Sequence, residues 1–194
     1  MIWHRLDRDK TIDMITRVKG ADGSMMFTPV TSEAKCSRLP FFKTFLLYRL
    51  TNFSSLPTFS MDFLSNGDSF FYMDGSDSAI RHMVAMDELA LTEENITAYL
   101  NFYYCYVRLT EGEIILLKNA AEGAHIDLYD EERREALDVV PEGISIVHDV
   151  ANNCFRVTAP VLYDSSPMEA EITVTHDGVV TTAPKRMLTF DAIQ

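Results

Sequence analysis

No stretch of this sequence stays apolar for the roughly 18 to 20 residues that a membrane-spanning helix requires. The longest contender, residues 99–109, is interrupted by Asn101 and Arg108, so no membrane partner is expected. Catalytic and cofactor signatures are equally scarce. The sequence holds no Gly-x-Ser-x-Gly elbow, no Gly-x-Gly-x-x-Gly turn, no glycine-rich Lys loop to cradle phosphate, and no His-Glu-x-x-His pair. No cofactor is implied, and a non-catalytic reading is preferred over an enzyme.

Cysteine is sparse. Cys36, Cys105 and Cys154 form no Cys-x-x-Cys unit and leave one thiol over in any disulfide scheme, which points to a reducing compartment. The first ten residues place Arg5, Asp7, Arg8, Asp9 and Lys10 where a secretory signal carries its apolar core, so a cytoplasmic location is expected. The five histidines, His4, His82, His125, His148 and His176, never fall at metal-ligand spacing. A calcium loop counted from Asp74 meets Ala79 where the turn glycine belongs and Ala85 where the bidentate glutamate belongs. No metal site is expected. Cys105, in the C-terminal half of the expected helix below rather than at a helix N-terminus, where a catalytic thiolate is favoured, reads as a buried structural thiol.

What is present suffices for a globular core: 47% hydrophobic residues, 11% aromatic and 24% charged. The net charge of −12 is unevenly spread, because the first 43 residues carry eight Lys or Arg against five Asp or Glu. A mildly basic arm thus precedes an acidic body. Such a body repels phosphate backbones, so nucleic acid is not an expected partner.

Residues 1–40 read as an N-terminal arm and residues 41–194 as one α+β domain. In the arm, Ile12, Ile15 and Val18 recur at three-residue steps with Met14 beside them, predicting a short helix that stops at Gly20. Residues 20–40, with Gly20, Gly23, Pro29 and Pro40 and no sustained period, read as a linker. In the body, residues 43–52 and the alternation of Phe59, Met61 and Phe63 predict strands. Asn66-Gly67 then predicts a tight hairpin into a strand over 69–73. Residues 78–90 fit either a short helix or an extended segment, and the extended reading is preferred.

Thr92-Glu93-Glu94 predicts a helix over about 92–109, capped by the Thr92 hydroxyl, with acids at the positive end of its dipole. Ile96, Tyr99, Leu100, Tyr103 and Val107 fall on one face, and Phe102, Cys105, Tyr106 and Leu109 widen it until the helix must be largely enclosed. Residues 113–118 predict a short strand, and 130–137 an exposed acidic helical turn. Residues 144–148 and 155–163, the latter with Pro160 suited to an edge or a bulge, predict further strands. Residues 168–175 and 179–182 complete a C-terminal meander around the His176-Asp177-Gly178 turn. The expected fold is α+β: a curved antiparallel sheet packed on one long aromatic-rich helix, comparable with cystatin-like or NTF2-like architectures.

The run from Leu91 to Arg108 with Gly112, and the run from Phe155 to Tyr163 with Met168-Glu169-Ala170-Glu171 and His176-Asp177-Gly178, resemble blocks of a group of uncharacterised proteobacterial proteins. The resemblance covers well under half the chain. It implies a shared fold, and no functional residue transfers.

Two functions compete. An interaction module or accessory subunit would use residues 1–40 to hold a protein partner, with Met14, Met25, Met26, Met83 and Met86 as adaptable apolar contacts. A small-ligand protein or enzyme would use a pocket between helix and sheet, with Tyr99, Tyr103, Tyr106 and Arg108 as its candidate lining. The first is preferred. The sequence leaves the oligomeric state open.

Overall fold

The computed structural model describes residues 2–18, 24–54, 56–110, 112–117, 144–164 and 166–187. The chain forms two compact units, Met1–Ala90 and Leu91–Gln194. It is α+β, with two antiparallel sheets of five strands each and three α-helices among the described residues.

The first unit carries β1 (His4–Arg5), α1 (Arg8–Arg17), a 3-10 turn (Ser24–Met26), β2 (Ser32–Arg38), β3 (Leu46–Asn52), β4 (Phe59–Ser65), β5 (Phe70–Tyr72) and α2 (Ser78–Ala85). Its strands follow in sequence order across the sheet. The register sets Ala34, Leu50 and Met61 side by side on one face, and Cys36, Tyr48 and Phe63 beside them. Met14 and Ile15 of α1, with Val18 just past its end and Phe27, cover that face. The helix forms where its spacing predicts, but it begins at Arg8, where the Asp7 carboxylate accepts from the Lys10 amide at 2.8 Å. Ile12 points to solvent and Met14 takes its place inward.

Two local expectations fail in this unit. Residues 32–38, read as part of a linker, form β2, which pairs with β3 along its full length. Only Ala34 and Ser37 of that strand are fully buried, so its sequence shows no apolar alternation. Residues 78–85 are helical rather than extended. Ala79, Ile80 and Met83 make one buried face, the Asp77–Arg81 ion pair spans one turn, and the His82 ring packs on Phe71 at 4.9 Å. The loop after β4 also departs from the two-residue form. Gly67 alone has positive φ, at 98°, while the Asn66 carboxamide accepts from the Asp68 and Ser69 amides.

The second unit carries α3 (Ile96–Tyr106), β6 (Ile114–Leu116), β7 (Ser145–Asp149), β8 (Cys154–Tyr163), β9 (Ser166–Thr175) and β10 (Val180–Met187). The helical turn expected over 130–137 lies outside the described residues. α3 starts a turn later than expected, because the Asn95 carboxamide accepts from the Thr92 amide and closes a turn ahead of the helix. Its predicted face is the buried one: Ile96, Tyr99, Leu100, Tyr103 and Val107 are all enclosed, with Phe102. Cys105 is exposed, which corrects the buried reading.

β8 is the centre of this sheet, and Pro160 sits in it neither at an edge nor at a bulge. β9 pairs along one side of β8, while β7 takes Cys154 to Thr158 and β6 takes Val161 to Tyr163 on the other. Pro160 lies at the seam between those two partners, where its missing amide interrupts no ladder bond. Its carbonyl accepts from the Leu117 amide at 2.9 Å. Phe155, Val157, Ala159 and Val161 share their face with Ala170, Ile172 and Val174, and that face is buried.

Candidate functional site

The first unit carries a groove of about 700 Å³ between the start of α1 and the start of β2. β1 is short: it ends at Arg5, and the Leu6 amide makes the last bond to β2, at the Ala34 carbonyl, 2.9 Å. The chain then leaves the sheet through Asp7, whose carbonyl accepts from the Thr11 hydroxyl at 2.8 Å. Asp7 is held below the usual carboxylate range, chiefly by the bond from the Lys10 amide.

The opposite wall is a hydroxyl-tied turn. Thr28 and Thr31 share a hydrogen bond at 2.7 Å, and the Thr28 amide donates to the Ser32 hydroxyl at 3.1 Å. This turn lifts Val30 to its tip. The Phe53 amide donates to the Thr31 carbonyl at 2.9 Å, which brings Phe53 beside it. Val30 is 85% exposed and Phe53 57% exposed, both on the groove wall. The rim carries the Arg5–Glu33 ion pair at 2.6 Å, and Arg8 stands at the first turn of α1.

The rim acids are committed to Arg5 and to the helix cap, and no histidine, thiol or metal-ligating cluster lines the groove. Among the described residues, no group of three or more His, Cys, Asp or Glu is placed to hold a metal ion, and no helix is long and apolar enough to cross a membrane.

The tyrosine helix lies in the second unit. Tyr99 is fully enclosed, and its hydroxyl donates to the Gly178 carbonyl at 2.6 Å. Tyr103 is buried against Tyr99, their ring centres 6.1 Å apart, and half-buried Tyr106 packs on Phe102 at 5.0 Å. Arg108 is exposed just beyond the helix end. Tyr104 shares a hydrogen bond with the Thr182 hydroxyl at 2.7 Å, and burial pushes its pKa up to about 12 against the opposing pull of that bond.

One cavity of this unit is a slot of about 210 Å³ lined by Leu109, Ile114, Tyr163, Val180, Thr181 and Thr182. β6 and β10 stand at opposite ends of the strand order yet both line it, so the sheet curls around its inner face. Tyr99, Tyr103, Tyr106 and Arg108 line neither concavity. Val30 and Phe53 escaped sequence reasoning because a single apolar residue in a turn or at a strand end looks the same whether it is buried or bare.

Compared with known proteins, the chain matches no protein-family model, no curated protein and no solved structure, cystatin-like and NTF2-like structures included.

Proposed function

We propose that the chain is a non-catalytic interaction module, an accessory subunit of the cytoplasm, and that it holds a protein partner through the groove lined by residues 5–8, 11, 29–33 and 53. The supporting observation is the pair of bare apolar side chains, Val30 and Phe53, set on the wall of a groove with a charged rim. Exposed apolar contacts framed by polar groups are the usual anatomy of a docking surface. Nucleic acid is disfavoured as the partner by the net charge of −12.

Deleting residues 1–40 is a poor test, because it removes α1, Phe27 and Ala34 from the core of the first unit. Point changes are cleaner. Val30→Asp with Phe53→Ser alters exposed side chains and is expected to leave the fold within about 0.5 kcal/mol of the parent. The double variant should lose the partner that co-purifies with the parent chain. Equal recovery of the same partner by both proteins overturns the reading.

The competing reading places a small ligand between helix and sheet, as cystatin-like or NTF2-like cones do. The slot near Tyr163 has about 210 Å³, below the roughly 300 Å³ at which ligand pockets begin. The hydroxyls of Tyr99 and Tyr104 are engaged by the turn between β9 and β10 and by β10. The interaction module is the better-supported reading.

A further inference from the structure

β1, β2 and β3 of the first unit bring three cations into one cross-strand row. Arg5 stands opposite Lys35, and Lys35 stands opposite Arg49. The Leu6 amide bonds the Ala34 carbonyl. Arg5 and Lys35 therefore form the closer kind of antiparallel pair, their Cα atoms about 4.5 Å apart, and Lys35 and Arg49 the wider kind at about 5.5 Å. Like charges set directly opposite one another destabilise a sheet.

Each outer member of the row is steadied by its own carboxylate. Arg5 meets Glu33 at 2.6 Å, and Arg49 meets Asp62 at 2.8 and 2.7 Å while its guanidinium lies 5.1 Å from the centre of the Trp3 ring. Lys35 is exposed and, among the described residues, has no carboxylate within ion-pair distance. The two carboxylates leave the row one positive charge over. The start of α1 beside it, Asp7-Arg8-Asp9-Lys10, is neutral and does not remove that surplus. A lysine kept between two arginines against the stability of the sheet is the arrangement expected of a seat for an anion, not of an ordinary solvated face.

The row is continuous with the groove. Arg5 and Glu33 line the groove, and Lys35 lies two residues beyond Glu33 on the same face of β2, about 7 Å further along the strand. We propose that the partner held by the groove is a segment carrying Asp or Glu, whose carboxylate sits on Lys35 between Arg5 and Arg49 while an apolar anchor meets Val30 and Phe53. The acidic seat rests on the groove reading and adds the chemistry of what docks there. Ser32, the first residue of β2, is three residues from Lys35, about 10 Å, so an extended partner separates its anchor from its acid by about three to five residues.

The test pans a random library of peptides about nine residues long, enough to span both contacts in extended form, against the full chain. Enriched peptides are resynthesised and their affinities read by fluorescence anisotropy. The expected winners carry a large apolar residue with Asp or Glu about three to five positions away, and they bind more weakly as salt is raised. Lys35→Glu replaces the seat by a carboxylate that Arg5 and Arg49 satisfy. It should weaken the winners about three- to tenfold, the scale of an exposed ion pair turned into a repulsion. At the same time it should raise the urea midpoint of the protein. Arg38→Glu makes the same charge change on the opposite face of β2 and should leave the affinities unchanged.

A gain in stability together with a loss of binding is a readout that an ordinary surface lysine does not produce. Winners without acids, or a Lys35→Glu protein whose urea midpoint does not rise, overturn the proposal. So does displacement of the winners by a single-stranded oligonucleotide, which would assign the row to a phosphate backbone. Winners lost with Val30→Asp and Phe53→Ser but indifferent to Lys35→Glu overturn the acidic seat and leave the groove standing. Winners sensitive to Lys35→Glu but indifferent to the double change overturn the groove as the docking site while the acid on Lys35 stands.

Discussion

The Tyr99 hydroxyl donates to the Gly178 carbonyl at 2.6 Å, tying the middle of α3 to the turn between β9 and β10. That turn depends on Gly178, whose φ of 79° favours glycine. A fully enclosed tyrosine thus sets the position of the hairpin that leads into β10. Tyr99→Phe keeps the ring and leaves a buried carbonyl without its donor, so it should destabilise the protein by about 1–3 kcal/mol. Urea unfolding checks this: the midpoint should fall while the slope stays the same.

Tyr104 gives a pH signature at the alkaline end. Its pKa is raised to about 12 by burial, against about 10 in an unfolded chain. The folded state therefore holds the proton more tightly, and the associated stability is complete below about pH 10 and is lost as pH rises toward 12. Removing the Thr182 hydroxyl takes away the one contact that lowers this pKa. Thr182→Val should move the Tyr104 titration higher still, as read from tyrosinate absorbance.

The acid limb follows from Glu169, Glu171 and Asp149. Hydrogen bonds from Arg186, Lys185 and Asn152 respectively are the largest cause holding these carboxylates below their usual range. Depressed carboxylates stabilise the fold above their unfolded pKa, about 4, and that contribution disappears as pH falls through the lower folded values. These groups lie at the surface, so the effect is small and screened by salt. Replacing Glu169 and Glu171 by Gln should flatten the loss of stability between about pH 4 and pH 2 in denaturation curves. An unchanged slope would show that these pairs do not contribute.

The three thiols should separate by accessibility. Cys105 is exposed, Cys36 is half-buried with its thiol pKa pushed up by burial, and Cys154 is buried. A disulfide reagent at neutral pH should label Cys105 first, Cys36 slowly and Cys154 only on unfolding. Peptide mass mapping of a time course reads the order. Early labelling of Cys154 would contradict the packing of β8.

Much of the second unit was legible because its patterns are strong and local. The face of α3 and the alternation along β8 and β9 each repeat over several turns or pleats, and burial follows them. The first unit was harder to read. β2 has polar residues at most positions because Glu33 and Lys35 lie on a face built partly from ion pairs such as Arg49–Asp62, and no period marks such a strand. α2 is short, and an eight-residue apolar pattern fits either period. The exposed pair Val30 and Phe53, and the slot beside β10, arise from residues brought together across the chain. Their spacing in sequence carries no sign of them.

The seam at Pro160 has a kinetic consequence. β7, β8, β9 and β10 follow one another in the chain, so their ladders close between near neighbours. β6 reaches β8 from roughly 45 residues away in sequence. Near-neighbour pairings form early and distant ones wait for the loop between them to close. The proline also leaves no shared ladder bond through which one partner of β8 could brace the other. β6 should accordingly be the last strand to dock and the first to let go, with its amides exchanging hydrogen for deuterium ahead of those in the β8–β9 pair.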